Sequence, residues 1–167
     1  MGASPAPSGK LLATAAGRDL VLARSFDAAA ETVWAELTDP ERTARWFGPW
    51  SGRGEPGGTI AVQMAFEEGE PVVEMVVEAC ERSRHLALRS EDDHGSWHLE
   101  IGLSESGGAT TLQLTHHLDE QADPGMVGPG WEYYLDMFSA AHEGRPLPSF
   151  DDYFPAQRAH YEGLVPE

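Results

Sequence analysis

One long amphipathic helix pattern stands out in the chain, between Pro124 and Gly144. Apolar residues recur there at steps of three and four, which places them on a single stripe of a helix. The stripe consists of Val127, Trp131, Tyr134, Leu135, Phe138 and Ala141. Gly144 followed by Pro146 is typical of a helix end, whereas the Gly-Pro-Gly run at 128–130 leaves the first turn undefined by a few residues. A stripe with three large rings predicts either a tightly filled core or a cavity beside the helix.

The N-terminal third of the chain shows one strand and two short helices. The segment 19–26 is short and rich in apolar residues, which predicts a first strand. Asp27 is the expected cap of a helix that begins directly after it. Asp39 and Pro40 end that helix and begin a second, shorter one. The glycines and proline of residues 52–58 then predict a turn-rich connection.

After this connection, apolar and polar residues alternate, which is the period of a half-buried strand. Short polar turns separate the alternating segments. The predicted strands cover 59–66, 72–80, 84–90, 97–103 and 109–117. Strands joined by short turns form an antiparallel meander, and its apolar face needs a covering element, which the long helix supplies. The sequence therefore predicts an α+β fold in which a curved antiparallel sheet grips the long C-terminal helix.

The length of 167 residues corresponds to about one domain with a core of its own. We expect a flexible N-terminal tail over 1–18, the domain over 19–144 and a C-terminal extension over 145–167. Residues 156–163 of the extension can form a short helix. Phe150 and Phe154 need burial, either on their own domain or against a second subunit. A homodimer is therefore one of the two alternatives.

The net charge of the chain restricts the kinds of molecule that it can bind. Eleven Lys and Arg stand against 28 Asp and Glu, a net charge of −17, which repels nucleic acid and anionic lipid surfaces. We therefore expect no nucleic-acid partner and no membrane insertion. The single cysteine, Cys80, rules out an internal disulfide and is expected to be an ordinary half-buried thiol. The N-terminus shows no export signal, so a cytoplasmic location is expected.

The order of elements resembles the START-like, or SRPBCC, superfamily, whose fold is named helix-grip. The resemblance rests on SFDAAAETVWAELTDPERTARWFGP after the first strand, on TTLQLTHH in the last strand and on GWEYYLDMF in the long helix. Within the superfamily, the chain looks most like the branch named after the activator of heat-shock-protein ATPase homologues. The likeness spans about residues 20–144. It implies a cavity between sheet and helix that holds a hydrophobic ligand in some members and supports cyclisation or hydrolysis in others.

The residues expected to line this cavity are inward-facing and mostly apolar, which is the usual composition of a small-molecule site. They are Met64, Phe66, Met75, Trp97, Leu99, Leu114, His116, Trp131, Tyr134 and Phe138. The competing interpretation is that the same side chains fill a solid core, since Met and aromatic residues at such spacings are common in cores.

Few residues in the sequence can carry chemistry. His116 is in phase with Leu112 and Leu114 and should point inward, whereas His117 should point the other way. A lone histidine near a strand end is more often a hydrogen-bonded rim residue than a catalytic base. His94, His98, Glu100 and His116 lack the spacing of a metal site, so we expect no metal, no cofactor and no catalytic residue.

Three hypotheses about function remain. The first is a protein that binds a hydrophobic or aromatic small molecule without catalysis, which the sparse reactive groups favour. The second is a cyclase- or hydrolase-type enzyme that uses the same cavity. The third is a co-chaperone-like interaction domain, which would require a solid core and a broad exposed apolar patch.

Overall fold

The structure is a computed structural model that describes residues 5–92 and 95–167. In these residues the chain forms eight strands and four α-helices. The strands are β1 (Lys10–Thr14), β2 (Gly17–Phe26), β3 (Trp50–Gly52), β4 (Thr59–Gln63), β5 (Val72–Glu81), β6 (His85–Asp92), β7 (Gly95–Ser106) and β8 (Ala109–Leu118). The helices are α1 (Ala30–Thr38), α2 (Pro40–Thr43), α3 (Pro124–Glu143) and α4 (Arg158–Glu162), with a 3₁₀ turn at Phe150–Asp152.

The strands form one antiparallel sheet in the order β1-β2-β8-β7-β6-β5-β4-β3. Together with one long C-terminal helix and two short helices after the second strand, this is the element content of the helix-grip fold. The predicted α+β class is confirmed. The chain divides into two compact units, one made of the residues up to Ala23 with Thr115–Glu167, the other of Arg24–Leu114. We call them the terminal unit and the middle unit.

The middle unit contains the predicted meander. β4 to β7 are consecutive antiparallel neighbours, with Met75 opposite Ile60 and Leu99 opposite Leu88. β4 ends at Gln63, three residues earlier than predicted, and β3 was not predicted because its three residues lie between glycines and prolines. A turn begins after Met64, so strand alternation no longer determines the direction of the next side chains.

The two short helices of the middle unit lie close to their predicted positions, but Asp27 does not cap α1. The helix begins at Ala30, whose backbone N–H donates to the Glu105 carboxylate of β7 at 2.7 Å. A tertiary contact therefore replaces the local cap. Asp39 caps α2 as expected, because its carboxylate accepts from Glu41 N at 2.9 Å.

The N-terminal segment of the terminal unit holds a strand where the sequence suggested a tail. β1 pairs with β2, with Leu12 opposite Asp19. The other edge of β1 bonds to Glu167, which donates its N–H to Leu11 O at 3.0 Å and accepts from Ala13 N at 2.7 Å. From Lys10 onward, this segment is therefore an ordered strand, and the expectation of a tail over 1–18 was wrong there.

The long helix α3 runs from Pro124 to Glu143, as the sequence predicts. Asp123 caps it by accepting from Gly125 N at 2.9 Å, and Gly144 ends it with a left-handed φ of 68°. Twelve of its twenty residues are buried, more than one apolar stripe contains. The helix is therefore covered on more than one side.

The C-terminal segment supplies part of this cover. Tyr161 of α4 packs so closely on Gly128 that a Cβ there would come within 2.5 Å of its ring. A Cβ on Gly9 would come within 2.3 Å of the same tyrosine's hydroxyl oxygen. Two glycines thus leave the space that Tyr161 fills, and the extension is part of the terminal unit. In the described part of the chain, no helix is long and apolar enough to cross a membrane.

Candidate functional site

His116 and His117 lie on opposite sides of β8, as the alternation predicts. His116 is 3% exposed and in phase with the buried Leu112 and Leu114. His117 is half-buried, and its Nδ1 lies 2.7 Å from Asp19 Oδ1 on β2. Only His116 is therefore placed in the interior.

Trp131 of α3 binds His116 directly. The indole Nε1–H donates to His116 Nδ1 at 3.0 Å, and the two rings meet edge to face with centroids 6.0 Å apart. An acceptor nitrogen carries no proton, so the neutral imidazole has its hydrogen on Nε2. The ring can then donate a hydrogen bond from Nε2, but its one lone pair is already engaged.

Aromatic and apolar side chains continue along α3 from this pair. Tyr134 is buried with its ring centroid 6.2 Å from that of Trp131, and Phe138, one turn further on, is 1% exposed. The structure therefore brings His116, Trp131 and Tyr134 together in the terminal unit. This is one polar pair within an apolar and aromatic surface.

The other predicted lining residues belong to the middle unit. Met64, Met75, Leu99 and Leu114 are buried, and Trp97 is half-buried. Phe66 differs, since it lies in the turn after β4 and is among the exposed large apolar side chains. The prediction that Phe66 lies on the inward face of a strand was wrong, because β4 ends before this residue.

The histidines considered for a metal site have other neighbours. His98 Nε2 lies 3.0 Å from Glu78 Oε1, and Glu100 Oε1 lies 2.9 Å from Nε2 of His85. His94 lies outside the described residues. Within residues 5–92 and 95–167, no three His, Cys, Asp or Glu side chains are grouped to hold a metal ion.

Two partly buried polar contacts of α3 were not predicted. Glu132, beside Trp131 in sequence, is 0% exposed, and its carboxylate accepts from both N and Oγ of Ser8, at 2.8 and 2.6 Å. Asp136 accepts from the hydroxyl of Tyr153 at 2.7 Å. Both acids lie off the apolar stripe, where helix periodicity predicts solvent exposure. The one sequence signal for a second cover was the pair Phe150 and Phe154 in the C-terminal extension.

Cys80 lies on β5 and is half-buried. Burial raises the pKa of its thiol above the usual value. A raised thiol pKa means less thiolate at neutral pH, which agrees with an ordinary structural cysteine rather than a nucleophile.

Comparison with solved structures supports the fold assignment. Crystalline CalU16 from Micromonospora echinospora aligns with a TM-score of 0.77 and 26% identity, over 95% of this chain and 96% of that chain. DynU16, described as a protein in the dynemicin biosynthetic locus, aligns with a TM-score of 0.68 and 21% identity over 79% of this chain, which is half of the DynU16 chain. The Aha1 dimer from Colwellia psychrerythraea aligns with a TM-score of 0.63 and 17% identity, over 77% of this chain and 98% of that chain.

A comparison with curated proteins gives no match. The family described as activator of Hsp90 ATPase homolog 1-like protein matches residues 27–143. This match covers well over half of the chain, from the residue after β2 to the end of α3, and it agrees with the order of the elements. The chain therefore belongs to the activator of Hsp90 ATPase homolog 1-like family, within the START-like superfamily.

Proposed function

We propose that this protein binds a hydrophobic or aromatic small molecule next to Trp131, without catalysing a reaction on it. The observation that carries the proposal is the buried hydrogen bond between Trp131 and His116. Small-molecule sites are mostly apolar, with a few polar groups in fixed orientation. The pair has this composition, because the buried ring of Tyr134 adjoins Trp131 on α3.

The state of His116 favours binding over catalysis. A general base needs a lone pair directed at the proton that it removes. Trp131 occupies the lone pair of Nδ1, so the neutral ring has only the Nε2 hydrogen to offer. The pair therefore supports binding of an apolar ligand beside it rather than removal of a proton from that ligand.

One of the structural relatives comes from a biosynthetic setting. DynU16, which shares the fold, is described as belonging to a biosynthetic locus. Because identity to DynU16 is 21%, this likeness shows the fold, and function rests on the site itself. Turnover of a substrate would favour a cyclase or hydrolase instead, and binding of a protein partner would favour a co-chaperone-like domain.

Ligand titration tests the proposal. A panel of lipids, polyphenols and aromatic polyketides is added while tryptophan fluorescence and melting temperature are recorded. A ligand at about 100 times its Kd should stabilise the fold by about 2.7 kcal/mol. Trp131→Phe should remove most of the fluorescence change, whereas Trp50→Phe, on β3 of the middle unit, should keep it. If no compound changes either signal, the binding proposal fails.

His116→Gln separates binding from catalysis. Glutamine keeps a donor and an acceptor, so binding of a ligand with a polar head group should survive, and any turnover should survive as well. If a reaction is found and this substitution lowers its rate by about 10²–10⁴, as the loss of a general base does, the protein is an enzyme.

Native mass spectrometry of freshly purified protein complements these titrations. It reports a carried ligand and the oligomeric state in one measurement. The solution structure of the Aha1 dimer, a protein of the same fold, makes a homodimer worth testing.

A further inference from the structure

Aromatic rings follow one another without a gap through the terminal unit. The ring centroids of Trp131 and Tyr134 are 6.2 Å apart, those of Tyr134 and Tyr133 5.2 Å, and those of Tyr133 and Tyr153 5.6 Å. The series begins at Trp131 of α3, which donates to His116 of β8, and ends in the C-terminal segment. We call these four residues the aromatic series.

Each end of the aromatic series donates a hydrogen bond to a base. Trp131 Nε1–H points at His116 Nδ1 at 3.0 Å. The hydroxyl of Tyr153, a residue that is 1% exposed, donates to Asp136 Oδ2 at 2.7 Å. Ring packing alone does not require a basic partner at both ends. These partners matter for one kind of chemistry, the loss of a single electron.

Loss of one electron turns an indole or a phenol into a strong acid. The proton must then leave, and a hydrogen-bonded base can take it without movement of heavy atoms. Once its proton is lost, a tyrosyl radical is more stable near neutral pH than a tryptophanyl radical. A hole created at Trp131 would therefore run downhill to a tyrosine, and at Tyr153 the hydrogen-bonded Asp136 can take the phenolic proton.

We propose that the aromatic series carries single oxidising equivalents from Trp131 to Tyr153. A one-electron oxidant, such as an organic radical formed on a nearby molecule, accepts an electron from Trp131, and the Nε1 proton passes to His116 Nδ1. An electron then moves from Tyr153 through Tyr133 and Tyr134 to Trp131, the Tyr153 proton passes to Asp136, and His116 returns its proton to the indole.

The products are the reduced oxidant, an intact Trp131 and a neutral tyrosyl radical at Tyr153. A thiol or ascorbate in solution then supplies one electron to Tyr153, and the proton comes back from Asp136. The relay thereby restores Trp131. It does not depend on the ligand proposal, because any one-electron oxidant that acts on Trp131 would start it.

The distribution of tryptophan and tyrosine favours this direction of transfer. All four tyrosines of the chain, Tyr133, Tyr134, Tyr153 and Tyr161, lie in the terminal unit, and Trp131 is the tryptophan that shares it. The other four tryptophans lie in the middle unit. A substitution at Trp131 therefore removes the tryptophan of this series and leaves four others as an internal reference.

Laser flash photolysis tests the relay in the full chain. A pulse absorbed by tryptophan ejects electrons from indoles whether or not they are exposed, and tryptophanyl and tyrosyl radicals have separate visible absorption bands. In the wild type, tyrosyl absorption should grow as tryptophanyl absorption decays, at a rate independent of protein concentration. Trp131→Phe should reduce this growth about tenfold or more, whereas Trp50→Phe should leave it unchanged.

The proton acceptor is tested at the other end. Tyr153→Phe keeps the ring and removes the phenol, and Asp136→Asn keeps the shape but cannot take the proton. Each should slow formation of the final radical by about tenfold or more. Tyr161→Phe is the matched control, since Tyr161 is an equally buried tyrosine of the same unit that is not part of the aromatic series. Electron paramagnetic resonance of frozen samples should show the wild-type tyrosyl signal lost in Tyr153→Phe and kept in Tyr161→Phe.

Equal transfer in the wild type and in Trp131→Phe would overturn the proposal, as would unchanged transfer in Tyr153→Phe. Circular dichroism confirms that each variant is folded. If Asp136→Asn does not fold, Tyr153→Phe decides alone, because it changes no ring packing. The two proposals fail separately. If the protein binds a ligand but shows no electron transfer, the relay fails and the proposed function stands. If electron transfer occurs but no ligand binds, the proposed function fails and the relay stands.

Discussion

Replacement of Phe138 with alanine measures how tightly the apolar stripe of α3 is packed. The Phe138 side chain is 1% exposed. Removal of such a side chain forfeits about 1.5–3 kcal/mol of transfer free energy. The cavity left behind raises the total loss of unfolding free energy to about 3–5 kcal/mol. Domains are stable by only about 5–15 kcal/mol, so this loss is a large fraction of the total.

Chemical denaturation followed by far-UV circular dichroism checks this value. At about 2–4 °C for each kcal/mol, the melting temperature should also fall by about 6–20 °C. Phe150→Ala is the matched control, because Phe150 is 44% exposed and its loss should cost less than about 1 kcal/mol. A loss below about 1 kcal/mol for Phe138→Ala itself would show that the ring lines an open pocket instead of filling a core.

Three further substitutions or reactions have defined outcomes. Gly128→Ala should lower the free energy of unfolding by about 1–3 kcal/mol, because the new Cβ would meet the Tyr161 ring. Gly130→Ala has open space at its Cβ and should be neutral or stabilise the fold by up to about 1 kcal/mol, and thermal denaturation of the two variants compares them. Carboxymethylation of Cys80 should still accelerate with pH above about 8.5, since burial raises the thiol pKa; a plateau at or below that pH would contradict this. Asp39→Ala should destabilise the fold by about 0.5–2 kcal/mol in the same denaturation assay through loss of the α2 cap, and no change would show that the cap is dispensable.

Local pattern was sufficient for the elements that end in strong local signals. α3 ends at Gly144 with a positive φ, and α2 begins after the Asp39 cap, as predicted from neighbouring residues. Alternation placed the middle strands and the inward direction of His116. Where the local signal at Asp27 was misleading, Glu105, which is 75 residues from Ala30, accepts from the first N–H of the helix instead.

The polar contacts of the terminal unit could not be predicted in the same way. Ser8 and Glu132 are 124 residues apart, and the Tyr153 hydroxyl meets Asp136 across a loop. Helix periodicity assigns Glu132 to the solvent face, because periodicity describes one helix and contains no information about what covers it. The N-terminal and C-terminal segments provide that cover, and neither shows a strong periodic pattern of its own.

The sequence by itself determined the class of the fold, the long helix, most strands and the direction in which His116 points, because periodicity and capping depend on residues close together in the chain. Tertiary structure decided that Trp131 donates to His116 and thereby sets its tautomer, and that aromatic rings from α3 meet those of the C-terminal segment. It also decided that Gly128 makes room for Tyr161. These contacts depend on how distant segments pack, and packing geometry is set by the shapes of all partners at once rather than by any local pattern.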